Sequence, residues 1–446
     1  MCGACVTSHG SRGVIALIAD DLTGASDAGV QFARRGVRTR VLFDLHDPAA
    51  VRDVEAVAID TDSRAVSAGD AYRRVHEVAS ALRRAAPRHV YKKIDSTLRG
   101  NLGAEIDAVM DAFGSRLAIV APAFPALGRT TRGGVHYLRG APVHQTEVGR
   151  DLRGPVADAR IAQVLAGQSR RPMGLVPLAT VADGVPAIRR SVEAHRAHGT
   201  ALLVCDAETD AHLLAIAASL ADQRDVLWVG SAGLAEPVAE ALGLPRRRPT
   251  PPETNQTPGG PVVLVAGSVS ATTRQQVAAV AARPGVQSVT VDPVALVGGP
   301  AACAAEQARC EAALAAALAA GDDGLLVVDA RPERVERAAQ RGAARGLSRS
   351  QMAAGIADVL GRLGAAAAQR QPLAGLVLTG GDTARAVCRH LGVSGLDLVA
   401  DVEPGVPLGR LIGPTMAPLA VTKAGAFGSD QALVRARDQL KGAPPP

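Results

Sequence analysis

The chain has 446 residues, with 49 Lys plus Arg against 43 Asp plus Glu and a formal net charge of +6. Hydrophobic residues make up 47% but only nine side chains are aromatic, which excludes a disordered chain and leaves little material for a base-stacking platform. Such a length favours two domains or more, each able to bury a core without disulfide or metal, and no apolar run approaches the ~18 residues of a membrane span.

In chain order, apolar β-rich runs are expected at Val14–Ala19, Arg38–Phe43, Ala56–Ile59, His89–Ile94, Leu117–Pro122, Ala201–Cys205 and Val226–Val229. Helical stretches lie between most of them, one starting at Ala68. Leu244–Pro261 then carries six prolines, which can continue neither a helix nor a central strand. Beyond it, further runs start at Pro261, Val286, Gly324, Gly375 and Pro418, separated by Ala-rich helices. Strands alternating with helices imply parallel sheets with crossover helices. The expected fold class is α/β: two α/β domains with mainly parallel sheets, spanning 1–243 and 262–446, a Pro-rich linker at 244–261, and the active site in the interdomain cleft.

Lys and Arg are spread along the chain, and the one short run, Arg246–Arg248, sits in the Pro-rich stretch. This argues against nucleic acid and is compatible with small anionic substrates. Cys2 and Cys5 form a lone pair without a second pair at metal-binding spacing, and Cys303 and Cys310 read as small residues of an Ala-rich helix. No charged segment followed by an apolar one opens the sequence, so a cytoplasmic protein is expected.

In parallel sheets, ligands bind beyond the C-terminal strand ends. The first half ends its strands in acids and cations: Asp20 and Asp21, Asp60 to Arg64, then Lys93, Asp95, Ser96 and Arg99. Of two adjacent carboxylates, one is expected to face the crevice and the other to cap the following helix. Lys and Arg suit a substrate carboxylate, and an Asp beside a cation stays ionised and can accept a hydroxyl proton. The bland alternatives are a helix cap and a surface ion-pair cluster, with Arg64 paired to Asp62. The second half ends its strands in glycine and hydroxyls: Gly267-Ser268, Gly380-Gly381-Asp382-Thr383 and Gly425–Gly428. Each alone is as readily a tight turn, but together they point to phosphate held by backbone N–H groups at helix N-termini. No P-loop and no G-x-G-x-x-G after a strand is present.

Nine segments in order, among them IADDLTGASDAG, IDTDSR, YKKIDSTLRGN, VAGSVSATT, LVLTGGDTA and TKAGAFGSD, together resemble the four-carbon acid sugar kinase family from about Val14 to the C-terminal helix. The resemblance implies ATP-dependent phosphorylation of the terminal hydroxyl of D-threonate, D-erythronate or a 3-oxo-tetronate. It implies a sugar acid on the N-terminal domain and ATP on the C-terminal one. Carried over, substrate contacts fall on Asp20, Asp21, Arg64, Lys93, Ile94, Asp95 and Ser96. Nucleotide contacts fall on Ser268, Gly380, Gly381, Asp382, Thr383 and Gly425, with Asp382 standing where the family often has Glu. In this reading Arg64 and Lys93 grip the carboxylate, Asp21 or Asp95 is the base, and Mg²⁺ arrives with ATP rather than at a protein-only metal site. His136 and His144 belong to an ordered hairpin. A side chain at Gly381 is expected to block the phosphates and to force an unfavourable φ. A Lys93-dependent lyase of oxo-acids and a non-catalytic metabolite-binding regulator stay open as alternatives. The expected partners are the sugar acid and ATP, with no nucleic acid and no membrane, and a homodimer is left open.

Overall fold

The computed structural model describes residues 14–45, 48–51, 53–150, 156–244, 260–413 and 418–442. The expected linker at 244–261 falls almost wholly outside them, as do Cys2, Cys5 and Arg246–Arg248. The described residues form two compact units. One takes those in Met1–Asp20, Val37–Arg40 and Asp44–Pro245; the other takes those in Asp21–Gly36, Val41–Phe43 and Arg246–Pro446.

The first unit is built on β1 (Ile15–Ala19), β3 (Ala56–Asp60), β4 (His89–Lys93), β5 (Leu117–Ala121), β9 (Met173–Val176), β10 (Leu202–Cys205) and β11 (Val226–Gly230). They lie in the order β3-β1-β4-β11-β5-β10-β9, every neighbouring pair parallel. β1, β3, β4, β5 and β11 are buried along their whole length. Except in β4, whose sequence is His-Val-Tyr-Lys-Lys, their mainly Ala, Val, Leu and Ile content is what a sheet covered on both faces requires. The short strand β2 (Thr39–Leu42) is shared out between the units at Arg40 and Val41. A small antiparallel sheet, β6 (Arg129–Arg132), β7 (Val135–Leu138) and β8 (Ala141–Pro142), completes this unit. It confirms the hairpin expected around His136.

The second unit holds β12 (Val262–Ala266), β13 (Val286–Val291), β14 (Asp323–Val328), β15 (Gly375–Thr379), β16 (Gly395–Glu403), β17 (Val406–Ile412) and β18 (Leu419–Lys423). The order β13-β14-β12-β15-β18 is parallel throughout. β17 then adds antiparallel to β18, and β16 antiparallel to β17. Val262, Leu264, Leu325, Val377 and Val421 form one core with Leu433 and Leu440 of the C-terminal helix. Helix Leu22–Ala33 belongs here, packed on β16, β17 and helix Gly381–Leu391.

Both sheets have a switch point of strand order. β1 carries β3 on one side and β4 on the other; β12 carries β14 on one side and β15 on the other. The registers Ala19↔Asp60, Ala19↔Lys93, Ala266↔Thr379 and Thr379↔Lys423 bring those strands to an end at one level. Within each unit, the loops that follow are therefore neighbours at the strand ends where open α/β sheets take ligands.

Candidate functional sites

In the first unit, Asp20 follows β1 and is buried, so its charge needs a partner. Arg64 supplies one in two-pronged fashion: Nε donates to Oδ2 at 2.6 Å and Nη2 to Oδ1 at 2.9 Å. The backbone N–H groups of Ser63 and Arg64 donate to the Asp20 carbonyl, which fixes the loop after β3 against β1. Burial alone would raise the Asp20 pKa, but the charge and hydrogen bonds of Arg64, with Lys92 and Lys93 nearby, bring it below the ordinary value. Asp62, the partner considered for Arg64 as a bland alternative, is 3.3 Å from Arg74. Arg64 itself reaches inward to the desolvated carboxylate of Asp20.

After β4 the same arrangement repeats. The Asp95 carboxylate receives Arg99 Nε at 2.9 Å and Nη2 at 3.1 Å, together with the Thr97 hydroxyl and the N–H groups of Thr97 and Arg99. Arg64 Nη2 is 3.8 Å from it. Against the upward pull of burial, Arg99 and Arg64 hold the Asp95 carboxyl well below the usual range. The two consecutive lysines differ sharply. Lys92 is fully buried but satisfied, donating to Glu105 at 2.7 Å, to the Lys93 carbonyl at 2.8 Å and to the Ile18 carbonyl at 3.3 Å. Lys93 is 4% exposed, and its ammonium makes one hydrogen bond, to the Ile94 carbonyl at 3.0 Å. Asp20, Arg64, Asp95, Arg99 and Lys93 thus gather in one cluster, in which the charge of Lys93 also acts on Asp20. Ser96 is positioned by His136, whose Nε2 donates to the Ser96 carbonyl at 2.8 Å while Nδ1 accepts from Thr131 at 3.1 Å. Burial lowers the His136 pKa to about 4, so the ring is neutral. Beside this network opens a pocket of about 410 Å³ lined by Arg64, Arg99, Gly100, Asn101, Asp158 and Gln168, among others.

In the second unit, Asp21 caps helix Leu22–Ala33: Oδ1 accepts the Gly24 N–H at 2.8 Å and Oδ2 the Thr23 hydroxyl at 2.8 Å. Of the two adjacent carboxylates, Asp21 is thus the helix cap. A side chain at Gly381 would meet Asp21 Oδ2 and Thr23 at 3.9 Å, so this carboxylate lies beside the first turn of helix Gly381–Leu391. The loops after β12, β15 and β18 interlock. A Cβ at Gly267 would collide with the Thr383 hydroxyl, and one at Gly425 with the Ser268 hydroxyl. Gly380, with φ +99°, occupies backbone space that only glycine enters readily. Gly381 has an ordinary φ and room for a Cβ in van der Waals contact with Asp21 and Thr23, so the expected backbone strain belongs to Gly380 instead. The Gly425 carbonyl receives Ser270 Oγ at 2.8 Å, Thr273 Oγ1 at 2.8 Å and Lys423 Nζ at 3.3 Å. Glu403 ties the same loop at Ser429, and Gln276 holds the carbonyls of Phe427 and Ser429.

The structure therefore brings Asp20, Arg64, Lys93, Ile94, Asp95 and Ser96 together in one unit. It brings Ser268, Gly380, Gly381, Asp382, Thr383, Gly425 and Asp21 together in the other. Sequence reasoning passed over Glu105, Ser270, Thr273 and Lys423. Lys423 and Lys92 did carry a signal, a lysine inside an otherwise apolar strand. Among the described residues no group of three or more His, Cys, Asp or Glu is arranged to hold a metal.

Residues 15–238 match the sugar-binding N-terminal domain family and residues 263–433 the nucleotide-binding C-terminal domain family. The chain is 38% identical to a D-threonate kinase of Cupriavidus necator, covering 94% of this chain and 95% of the relative. It is 36% identical to a D-erythronate kinase of Heliobacterium modesticaldum, covering 96% and 97%. Identity to a 3-oxo-tetronate kinase of Methylobacterium radiotolerans is 32%, covering 95% and 98%. Paired carboxylates and cations in one unit, interlocked glycine loops in the other and full-length likeness to these enzymes agree: the chain belongs to the four-carbon acid sugar kinase family.

Proposed function

We propose that the first unit binds a four-carbon sugar acid, that the second binds ATP, and that the γ-phosphoryl group passes to the acid's terminal hydroxyl. D-Threonate or D-erythronate is the favoured acceptor, with a 3-oxo-tetronate as the alternative within the family. The observation that carries the substrate side is Lys93, a buried ammonium at the end of β4 whose hydrogen bond among the described residues goes to a neutral carbonyl. A substrate carboxylate would complete it. Arg64 shares the grip from the pocket wall while remaining braced by Asp20.

On the nucleotide side, Gly380, Gly381 and Gly425 allow the backbone to approach phosphates, and the first-turn N–H groups of helix Gly381–Leu391 face them with the positive end of the helix dipole. Ser268 and Thr383 add hydroxyls. Mg²⁺ arriving with the nucleotide would supply neutralisation of phosphate charge, and Asp21 beside Gly381 and Asp382 in the first turn of the helix are the carboxylates that would hold it. Arg99 and Arg64 depress the Asp95 pKa, which makes it a weak proton acceptor. We therefore assign Asp21 to orienting and deprotonating the hydroxyl, and Asp95 to bracing Arg99. A cytoplasmic location, where ATP is supplied, belongs to this proposal.

A coupled assay of ADP formation over D-threonate, D-erythronate and 3-oxo-tetronate tests it. Acid-dependent ADP release at one of these is the expected result. Turnover of an oxo-acid without ATP would instead support the Lys93-dependent lyase.

A further inference from the structure

Lys423 ends β18 and is 1% exposed. Its ammonium makes one side-chain hydrogen bond, the 3.3 Å contact to the Gly425 carbonyl. That carbonyl is already satisfied: it has two lone pairs, and the Ser270 and Thr273 hydroxyls sit on it at 2.8 Å each. The loop does not need Lys423 to hold its shape. No carboxylate among the described residues pairs with the ammonium; Glu403, whose field reaches it from β16, is taken by Arg435 at 2.8 Å.

A buried ammonium with one marginal acceptor is costly unless an anion completes it. The position of Lys423 says which anion. Gly380 N–H donates to the Lys423 carbonyl at 2.9 Å, so the lysine adjoins the turn that opens helix Gly381–Leu391. Lys423 is in register with Thr379, whose hydroxyl is buried and has no hydrogen-bond partner among the described residues. Two unsatisfied donors thus lie side by side where the interlocked loops meet.

We propose that Lys423 is a phosphate-binding residue of the nucleotide site, its ammonium supplying, with the Thr379 hydroxyl, the positive floor beneath the glycine loops. This rests on the nucleotide reading of the second unit and adds a residue to it. Burial lowers the Lys423 pKa to about 8, with Glu403 acting the other way. The remaining groups around it are uncharged: the hydroxyls of Ser270, Thr273 and Thr379 and the Gly425 carbonyl.

Calorimetric titration of the full chain with ADP, from pH 7 to 9.5, tests the assignment. In the wild type, affinity should fall about tenfold or more over this range, because only the charged lysine attracts phosphate and binding holds its proton on. Lys423→Met should weaken ADP at least tenfold at pH 7 and lose the pH dependence, with the melting temperature kept or raised. Equal ADP affinity in a folded Lys423→Met variant overturns the inference and leaves the nucleotide site standing. Failure of the wild type to bind ADP overturns both. If the variant does not fold, the wild-type profile decides, and a flat profile overturns the assignment.

Discussion

Arg64 and Asp20 form a two-pronged ion pair, 2.6 and 2.9 Å, between the loop after β3 and the end of β1. Asp20 is 3% exposed, so Arg64→Ala leaves a buried carboxylate without its main partner. The expected cost is about 3 kcal/mol of stability, together with a raised KM for the sugar acid. Arg64→Lys should recover part of each, since an ammonium lacks the planar pair of donors. Urea denaturation and steady-state kinetics measure the two effects; a variant as stable as wild type would show that the pair does not brace the site.

The adjacent lysines should respond in opposite ways. Lys92→Met strands Glu105, which is 1% exposed, and should cost about 3–5 kcal/mol. Lys93→Met removes a buried charge whose hydrogen bond among the described residues goes to one carbonyl, so stability should stay within about 1 kcal/mol of wild type. KM for the sugar acid should nevertheless rise tenfold or more. A Lys93→Met enzyme with unchanged KM would remove Lys93 from the substrate grip.

Gly380 and Gly381 should likewise separate. Gly380→Ala forces an L side chain to φ +99° and should cost on the order of 1–3 kcal/mol. Gly381→Val places its Cβ in ordinary van der Waals contact with Asp21 and Thr23 at 3.9 Å, so thermal melting should change less than for Gly380→Ala while KM for ATP rises sharply, because the side chain would occupy the phosphate approach. Unchanged ATP kinetics in a folded Gly381→Val variant would place the phosphates elsewhere.

Stability should fall in acid in two stages. His136 is buried neutral with a pKa near 4, against 6.5 when unfolded. Its folded value is the lower one, so the unfolded chain gains the proton first, and stability present above pH 6.5 is lost as pH falls towards 4. The slope is about 1.4 kcal/mol per pH unit for each such histidine, and His89, also lowered to about 4 by burial, adds a second. Asp20 and Asp95, with depressed values, stabilise above the ordinary carboxylate pKa of 3.8 and give this up only below it. Denaturant titrations at pH 7.5, 5 and 3.5 should resolve both stages, and His136→Gln should flatten the first.

The parallel strands were legible because each is a short apolar run punctuated by polar residues. Val226–Val229, for example, appears as Val226–Gly230. β16 and β17 escaped notice because Asp397, Asp401, Glu403 and the Pro404-Gly405 turn interrupt the apolar pattern, although Gly405 at φ +80° is the hairpin signal. β6 was hidden similarly by its Arg-Thr-Thr-Arg sequence. Site residues at strand ends were legible because parallel register brings those ends together. Glu105 was not, because its partner Lys92 lies on another element and nothing local announces the pairing. The membership of helix Leu22–Ala33 in the second unit was hidden for the same reason, being set by contacts with β16 and β17.

Gly267 against Thr383, and Gly425 against Ser268, leave no slack between the three loops. Substitutions there should be strongly epistatic, since a larger group in one loop can be accommodated only by shrinking its neighbour. Pairs such as Gly425→Ala with Ser268→Gly should recover what each partner loses alone. A change of phosphoryl donor in this scaffold would then have to be selected from coupled libraries, because no series of single steps leaves the loops fitted to one another.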